Sequence, residues 1–408
     1  MLGNAMNQFD DIRPYRDSEV PDVLARLIAD SEFIDLLLSR RAPLLMRFMP
    51  WIMKPIARPL LRRHLRHLTR DVETIVDFQD HVKVGLQNVL DKTTDGYSFG
   101  GLDQLDPDKS YLFISNHRDI ALDPAMVNLA LHTVDQETVR IAIGDNLLSK
   151  PFASDLMRVN RSFIVKRSVE GRRDKLEALK KLSAYIRFSV AEDNASCWIA
   201  QAEGRAKDGF DRTDTALLKM LTLSKSKQQT FGEAIGQLQL MPVSLSYEYD
   251  PCIIEKSREL YAAEQGETYL KAEFEDLDSI QKGLLGYKGR VQVNFGDPIG
   301  SDFETPEDLA QEIDRQIYAL YQIFPTNIIA WQTQTQRDDA VVEQLKQQWP
   351  EEDWMSAEAK FQAHLQTVPA EHRLLLIDAY AKPVENQLDL QQQMPVVDSL
   401  INDDATVC

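Results

Sequence analysis

The chain has 408 residues, enough for two or three domains whose cores need no covalent staples. Lys and Arg number 46 against 64 Asp and Glu; the net charge of −18 argues against nucleic-acid binding through overall charge, and 43% hydrophobic content excludes general disorder. Cys197, Cys252 and Cys408 are too few and too widely spaced for a disulfide framework or a Cys-rich metal site, and they fit a reducing compartment.

The first region, residues 1–95, reads as helical. Its opening, MLGNAMNQFDDIRPYRD, lacks the basic start and apolar stretch of a secretory signal. Asp17 is placed to cap a helix through VPDVLARLIADSEF, with Pro21 in its first turn and Val20, Leu24, Leu27 and Ile28 on one face. Between Arg40 and Arg70 there are nine Lys/Arg and no acid, interspersed with Leu44, Leu45, Met46, Phe48, Met49, Trp51, Ile52 and Met53. That mixture suits an anionic lipid surface and is too short to span a bilayer. Pro43, Pro50, Pro55 and Pro59 argue against one long helix here. The plainer reading is a basic helical region docked on the acidic C-terminal region. A further helix is expected from Val72 to Leu90.

The middle region, 96–300, alternates apolar runs with helical patterns. The runs are YLFISN (111–116), VRIAIGD (139–145), RSFIVKR (161–167), SCWIAQAE (196–203), QLMPVSLSY (239–247) and RVQVNFGD (290–297). Between them, Leu176, Leu179, Leu182 and Ile186 recur at helical spacing. This predicts an α/β fold, a mixed sheet covered by helices, with strands buried on both faces. The Pro in QLMPVSLSY suggests an edge or a strand start. The last region, 301–408, is Gln-rich and helical in pattern, carries a net −14, and ends in a tail expected to be loose after Gln387.

Three constellations could carry chemistry. Asn116-His117-Arg118-Asp119-Ile120-Ala121-Leu122-Asp123-Pro124 follows an apolar strand, where α/β proteins place their sites. A histidine with a nearby carboxylate suits general-base work on a hydroxyl. The same residues also read as a surface histidine beside an Asp helix cap, with the helix opening at Pro124. Glu203-Gly204-Arg205 and Lys207 end a second strand, and Lys166-Arg167 end a third. Such cations suit a phosphate or carboxylate, and equally suit solvated strand ends. No GxSxG elbow, phosphate-binding glycine loop, HExxH or His cluster is present, and Ser115, two residues before His117, is not a triad partner on sequence proximity alone.

In their order, NHRDIALDPA, SFIVKR, WIAQAEGRAK and MPVSLSY resemble the four blocks of the glycerolipid acyltransferase superfamily, which includes 1-acyl-glycerol-3-phosphate and glycerol-3-phosphate acyltransferases. The resemblance covers roughly residues 100–300. Two features depart from the pattern: His117 and Asp123 are six apart rather than five, with Asp119 between them, and the third block carries its Arg at 205 rather than 206. The resemblance implies a glycerol-3-phosphate acyltransferase-like fold with helical N- and C-terminal regions. It implies His117 as general base and Asp123 as its orienting partner, with possible support from Asp119 and Glu203. Lys166, Arg167, Arg205 and Lys207 would hold the acceptor phosphate. The donor would be acyl-CoA or acyl carrier protein, with no metal or cofactor. The expected partner is an anionic membrane surface, and the expected location is the cytoplasmic face of the membrane. An esterase or thioesterase, or a non-catalytic lipid-binding protein, are the alternatives.

Overall fold

The computed structural model describes residues 8–41, 49–271 and 275–393. Seven strands form one sheet: β1 (Gly96–Gly100), β2 (Leu112–Ser115), β3 (Arg140–Gly144), β4 (Ser162–Val165), β5 (Cys197–Ala200), β6 (Leu240–Tyr247) and β7 (Arg290–Phe295). Their spatial order is β1-β7-β6-β2-β5-β3-β4. Every neighbouring pair is parallel except β6 and β7. The fold is therefore α/β with a mixed sheet. β2 to β6 all run the same way, so Asn116-His117, Asp145, Lys166-Arg167 and the 201–207 turn emerge at one edge of the sheet.

The helices Leu122–Thr133, Pro151–Val159 and Arg172–Ala191 make the crossovers between β2, β3, β4 and β5. β2 and β6 are buried along their whole length, as continuous apolar runs require. On one sheet face Phe163, Tyr185 and Ile186 pack with Phe9 and Ile12; on the other, Phe113, Met126 and Val127 pack with Trp198 and Phe295. Of the predicted stripe in Arg172–Ala191, Leu182 and Ile186 are buried while Leu176 is exposed, because the first turns project beyond the sheet.

Several expectations need correcting. β6 is central, not an edge, despite Pro242. Residue 242 pairs with Ile114 of β2, and its carbonyl accepts from Gly296 N just past the end of the β7 ladder. The missing N–H thus points to the end of the β7 ladder and not to β2, so the β2–β6 ladder loses no bond. Asp17 does not cap the helix Val20–Ala29; its Oδ1 accepts from Ile75 N, the first residue of the helix Ile75–Thr93, while Thr74 and Asp77 form that helix's capping box. Pro55 and Pro59 do not break the basic segment: they lie inside one helix, Pro50–Leu68. Both stand on its solvent side, where the carbonyls that lose an N–H partner can be hydrated. Leu44, Leu45, Met46 and Phe48 lie outside the described residues.

The C-terminal region is a set of helices from Pro306–Leu320 to Arg373–Gln393, with its own core around Ile328, Phe361 and Val384. The last helix continues past Gln387, whose side-chain amide donates to the carbonyls of Tyr318 and Tyr321. The tail beyond it lies outside the described residues.

The candidate active site

β2 ends at Ser115, and the loop that follows is built around one carboxylate. Asp123 sits in the first turn of Leu122–Thr133 and is completely buried. Its Oδ2 lies 2.8 Å from His117 Nδ1 and accepts from the backbone N–H of Arg118 (2.7 Å) and of Asp119 (2.9 Å). Its Oδ1 accepts from the Tyr247 hydroxyl at 2.8 Å. With Nδ1 turned to a carboxylate, the imidazole carries its proton there and leaves Nε2 as the basic nitrogen. Among the described residues nothing hydrogen-bonds to that Nε2. The ring packs edge-on against Trp198, with centroids 5.9 Å apart, and its side chain is 15% exposed. A shielded, oriented imidazole of this kind can remove a proton from a hydroxyl brought to Nε2.

The extra residue between His117 and Asp123 is absorbed by Asp119. Its Oδ1 accepts from Ala121 N (3.0 Å) and Leu122 N (2.8 Å), so Asp119 serves the start of the helix, which opens at Leu122 and not at Pro124. Asp123 is thereby released from capping and faces the imidazole. Asp119 is buried, and burial together with the charge of Asp123 pushes its carboxyl up to about 6. Gly283 leans on it; a Cβ there would stand 1.8 Å from Asp119 Oδ2.

Asn116 fastens the loop to the sheet. Its side-chain amide donates to the Leu245 carbonyl at 2.9 Å and accepts from Leu245 N at 2.8 Å, extending the β2–β6 ladder by one side chain. Arg118 pairs with the buried Asp211, and Lys256 Nζ donates to the Arg118 carbonyl at 2.8 Å. Tyr247 and Lys256 have no local sequence signal tying them to His117, and neither has the reach of Asn116 to Leu245; only the fold brings these together.

The cations divide. Ala206 N donates to the His117 carbonyl at 2.7 Å, which places Arg205 beside the loop. Arg205 is buried; its Nη2 reaches Ser279 Oγ at 3.4 Å, and its Nη1 has no hydrogen-bond partner among the described residues. Arg167 pairs with Glu203 at 3.2 Å at the rim, so Glu203 faces a cation and does not contact His117. Lys207 pairs with Glu259 at 2.9 Å, and Lys166 is turned to Asp11. A cavity of about 50 Å³ lies behind the loop, lined by Arg118, Asp119, Tyr247, Lys256 and, from the C-terminal helix, Tyr380. His117 does not line it.

Among the described residues neither a serine nor a cysteine is hydrogen-bonded to the imidazole. Ser115 Oγ donates to its neighbour's carbonyl and accepts from Trp198 Nε1. Burial pushes the Cys197 thiol up to about 11 and the Cys252 thiol up to about 12. Among the described residues there is no group of His, Cys, Asp and Glu able to hold a metal ion.

Residues 97–225 match the family model described as Acyltransferase. That stretch contains His117, Asp123 and all four candidate cations, and stops before Tyr247. No curated protein matches the chain in sequence. Among solved structures, the 1-acyl-sn-glycerophosphate (LPA) acyltransferase PlsC from Thermotoga maritima aligns over 70% of this chain and 92% of its own, at 13% identity and a TM-score of 0.36.

A carboxyl whose pKa is raised on folding costs stability once it ionises. For Asp119 that cost is absent below its unfolded value, near 3.9, and is fully present above about 6. Asp119→Asn keeps the two acceptor bonds of Oδ1 and removes the charge. Thermal melts should show the variant gaining a few degrees over wild type at pH 7.5, with the gain shrinking as pH falls from 6 to 4. A constant or inverted difference across that range contradicts the assignment.

Proposed function

We propose that this acyltransferase, in which residues 97–225 match the family model, moves a fatty acyl group from a thioester to the hydroxyl of glycerol-3-phosphate or its 1-acyl form, in phospholipid synthesis. The observation that carries the reading is the Asp123-oriented His117 at the sheet edge, inside that stretch. His117 Nε2 takes the proton of the acceptor hydroxyl. The alkoxide oxygen attacks the thioester carbonyl; the new C–O ester bond forms, the C–S bond breaks, and the imidazolium returns its proton to the leaving thiolate. Asp123 stabilises the imidazolium between the two transfers. Direct attack is favoured over an acyl-enzyme because no hydroxyl or thiol among the described residues is bonded to His117. The same absence of a partner nucleophile disfavours the serine-esterase alternative.

The acceptor phosphate has a natural partner in Arg205. A buried guanidinium with an unused N–H is costly to leave alone, and a phosphate oxygen would satisfy it. Arg167 stands at the same strand edge, held by Glu203, and can exchange that partner for an anion. Lys207 and Lys166 contribute through the local field rather than by present contact. Acyl-CoA or acyl carrier protein would be the donor.

The membrane partner is supported by Pro50–Leu68. Leu61 turns inward onto Ile34 and Leu38. Lys54 and Arg58 pair with Asp35, and Arg62 donates to the carbonyls of Ile28 and Ala29. These basic residues dock within the N-terminal region, not on the acidic C-terminal one. The outer face keeps Trp51, Ile56 and Leu60 at 75%, 57% and 63% exposure, with Arg63 and Arg66 beyond them. Apolar anchors flanked by cations suit the interface of an anionic bilayer, where a 1-acyl acceptor and the product reside. No helix among the described residues is long and apolar enough to cross a membrane. The reading places the protein on the cytoplasmic face.

His117→Ala should lower the transfer rate about 10²–10⁴-fold with an unchanged melting temperature. Asp123→Asn should be severe and Asp119→Asn mild. A His117→Ala rate within a few-fold of wild type removes the histidine from the mechanism. Arg205→Ala should raise the acceptor KM about tenfold or more and leave the donor KM within about twofold; equal rises in both would exclude an acceptor-phosphate role. In flotation, the protein should bind phosphatidylglycerol vesicles, bind less as salt rises, and ignore phosphatidylcholine vesicles. Arg63→Glu with Arg66→Glu should abolish binding while Arg62, a structural residue, is left in place. Indifference to both vesicle types would leave the helix an ordinary surface.

A further inference from the structure

We propose that Tyr247 is a positioning residue for the reaction: its hydroxyl fixes the plane of the Asp123 carboxylate so that Oδ2 is held against the His117 imidazole. The proposal rests on the acyl-transfer reading above.

Tyr247 is the last residue of β6, 124 positions beyond Asp123, and lies outside the acyltransferase match. Its ring is buried, and its hydroxyl reaches Asp123 Oδ1 at 2.8 Å. Burial, together with the charges of Asp123 and Asp119, drives the phenol well above its ordinary value, so it remains an O–H donor at any working pH.

The division of bonds on Asp123 is unequal. Oδ2 takes the imidazole and two backbone N–H groups; Oδ1 has the tyrosine alone. The terminal torsion of an aspartate is soft. Three donors converge on one oxygen and hold that atom, but they do not hold the carboxylate plane about it. The tyrosine, bonded to the other oxygen, does. Its own position is set independently: the Asn116 amide clamps Leu245, two residues before Tyr247, to the residue immediately before His117. Ring, carboxylate and imidazole are thereby tied to one β2–β6 register. A phenylalanine would fill the same space equally well, so the hydroxyl itself is what this position adds. A histidine base misdirected by a fraction of an ångström loses rate without losing substrate affinity.

The test is a double-mutant cycle on the full-length protein, using the acyl thioester and acceptor that wild type turns over fastest. Tyr247→Phe should lower kcat about tenfold and leave both KM values within about twofold. In an Asp123→Asn background, where the carboxylate is already gone, the same substitution should change kcat less than about twofold. Equal losses in the two backgrounds would mean that Tyr247 acts by packing alone, which overturns the proposal. So would a Tyr247→Phe rate within twofold of wild type while His117→Ala is inactive. If His117→Ala is itself active, the general-base reading falls and Tyr247 with it. Should Tyr247→Phe melt below the assay temperature, the same cycle is run at a temperature where every variant stays folded; a Tyr247→Phe kcat within twofold of wild type there overturns the proposal.

Discussion

The site depends on keeping one negative charge inside the protein. Asp123 has no exposed surface, and a carboxylate taken out of water is stable only where donors replace the lost hydration. Four do so here: an imidazole, a phenol and two backbone N–H groups. Meeting that demand shapes the surroundings. The loop after β2 must turn so that the N–H groups of 118 and 119 converge. β6 must deliver Tyr247, and the helix Leu122–Thr133 must begin without using Asp123 as its cap. Asp119 takes the cap, and Gly283 makes room for it.

Secondary arrangements follow from the same constraint. The loop carries Arg118 into a buried pair with Asp211, and Lys256 holds the Arg118 carbonyl. Tyr380 of the C-terminal helix accepts from Asp250 N and closes the cavity behind the loop. The C-terminal helices therefore back the site from the side away from His117. Arg205 is buried with an N–H unused among the described residues, beside the turn whose Ala206 bonds the His117 carbonyl. The proposed base and the proposed phosphate partner are thus linked by a single backbone contact.

Much of this was legible in the residues. Six of the seven strands appear as short runs: those buried on both faces are continuously apolar, whereas β7, expected to be covered on both faces too, alternates and buries only Val291, Val293 and Phe295. The seventh, GYSFG, has two glycines, lies at the sheet edge and is only half covered, so it carries no such mark. His117 and Asp123 stand out from their order relative to the other blocks, not from their spacing, which is one residue longer than the pattern. Asn116 and Tyr247 lie in the first and fourth blocks, but the bonds they make in the site were not legible. Their roles arise from contacts across more than 120 positions, and a tyrosine closing an apolar strand looks like ordinary core. Pro242, Pro55 and Pro59 misled for one reason: proline breaks a ladder or helix only where its missing N–H would have had a partner that water cannot replace.

The account's central claim is that His117 directs an acyl group to a hydroxyl acceptor and not to water. The direct measurement is thiol release from a long-chain acyl-CoA by the purified protein, with glycerol-3-phosphate, with its 1-acyl form, and with no acceptor. Release should need one of the two acceptors and be matched mole for mole by ester product. Equal release without any acceptor would make the protein a thioesterase and contradict the account.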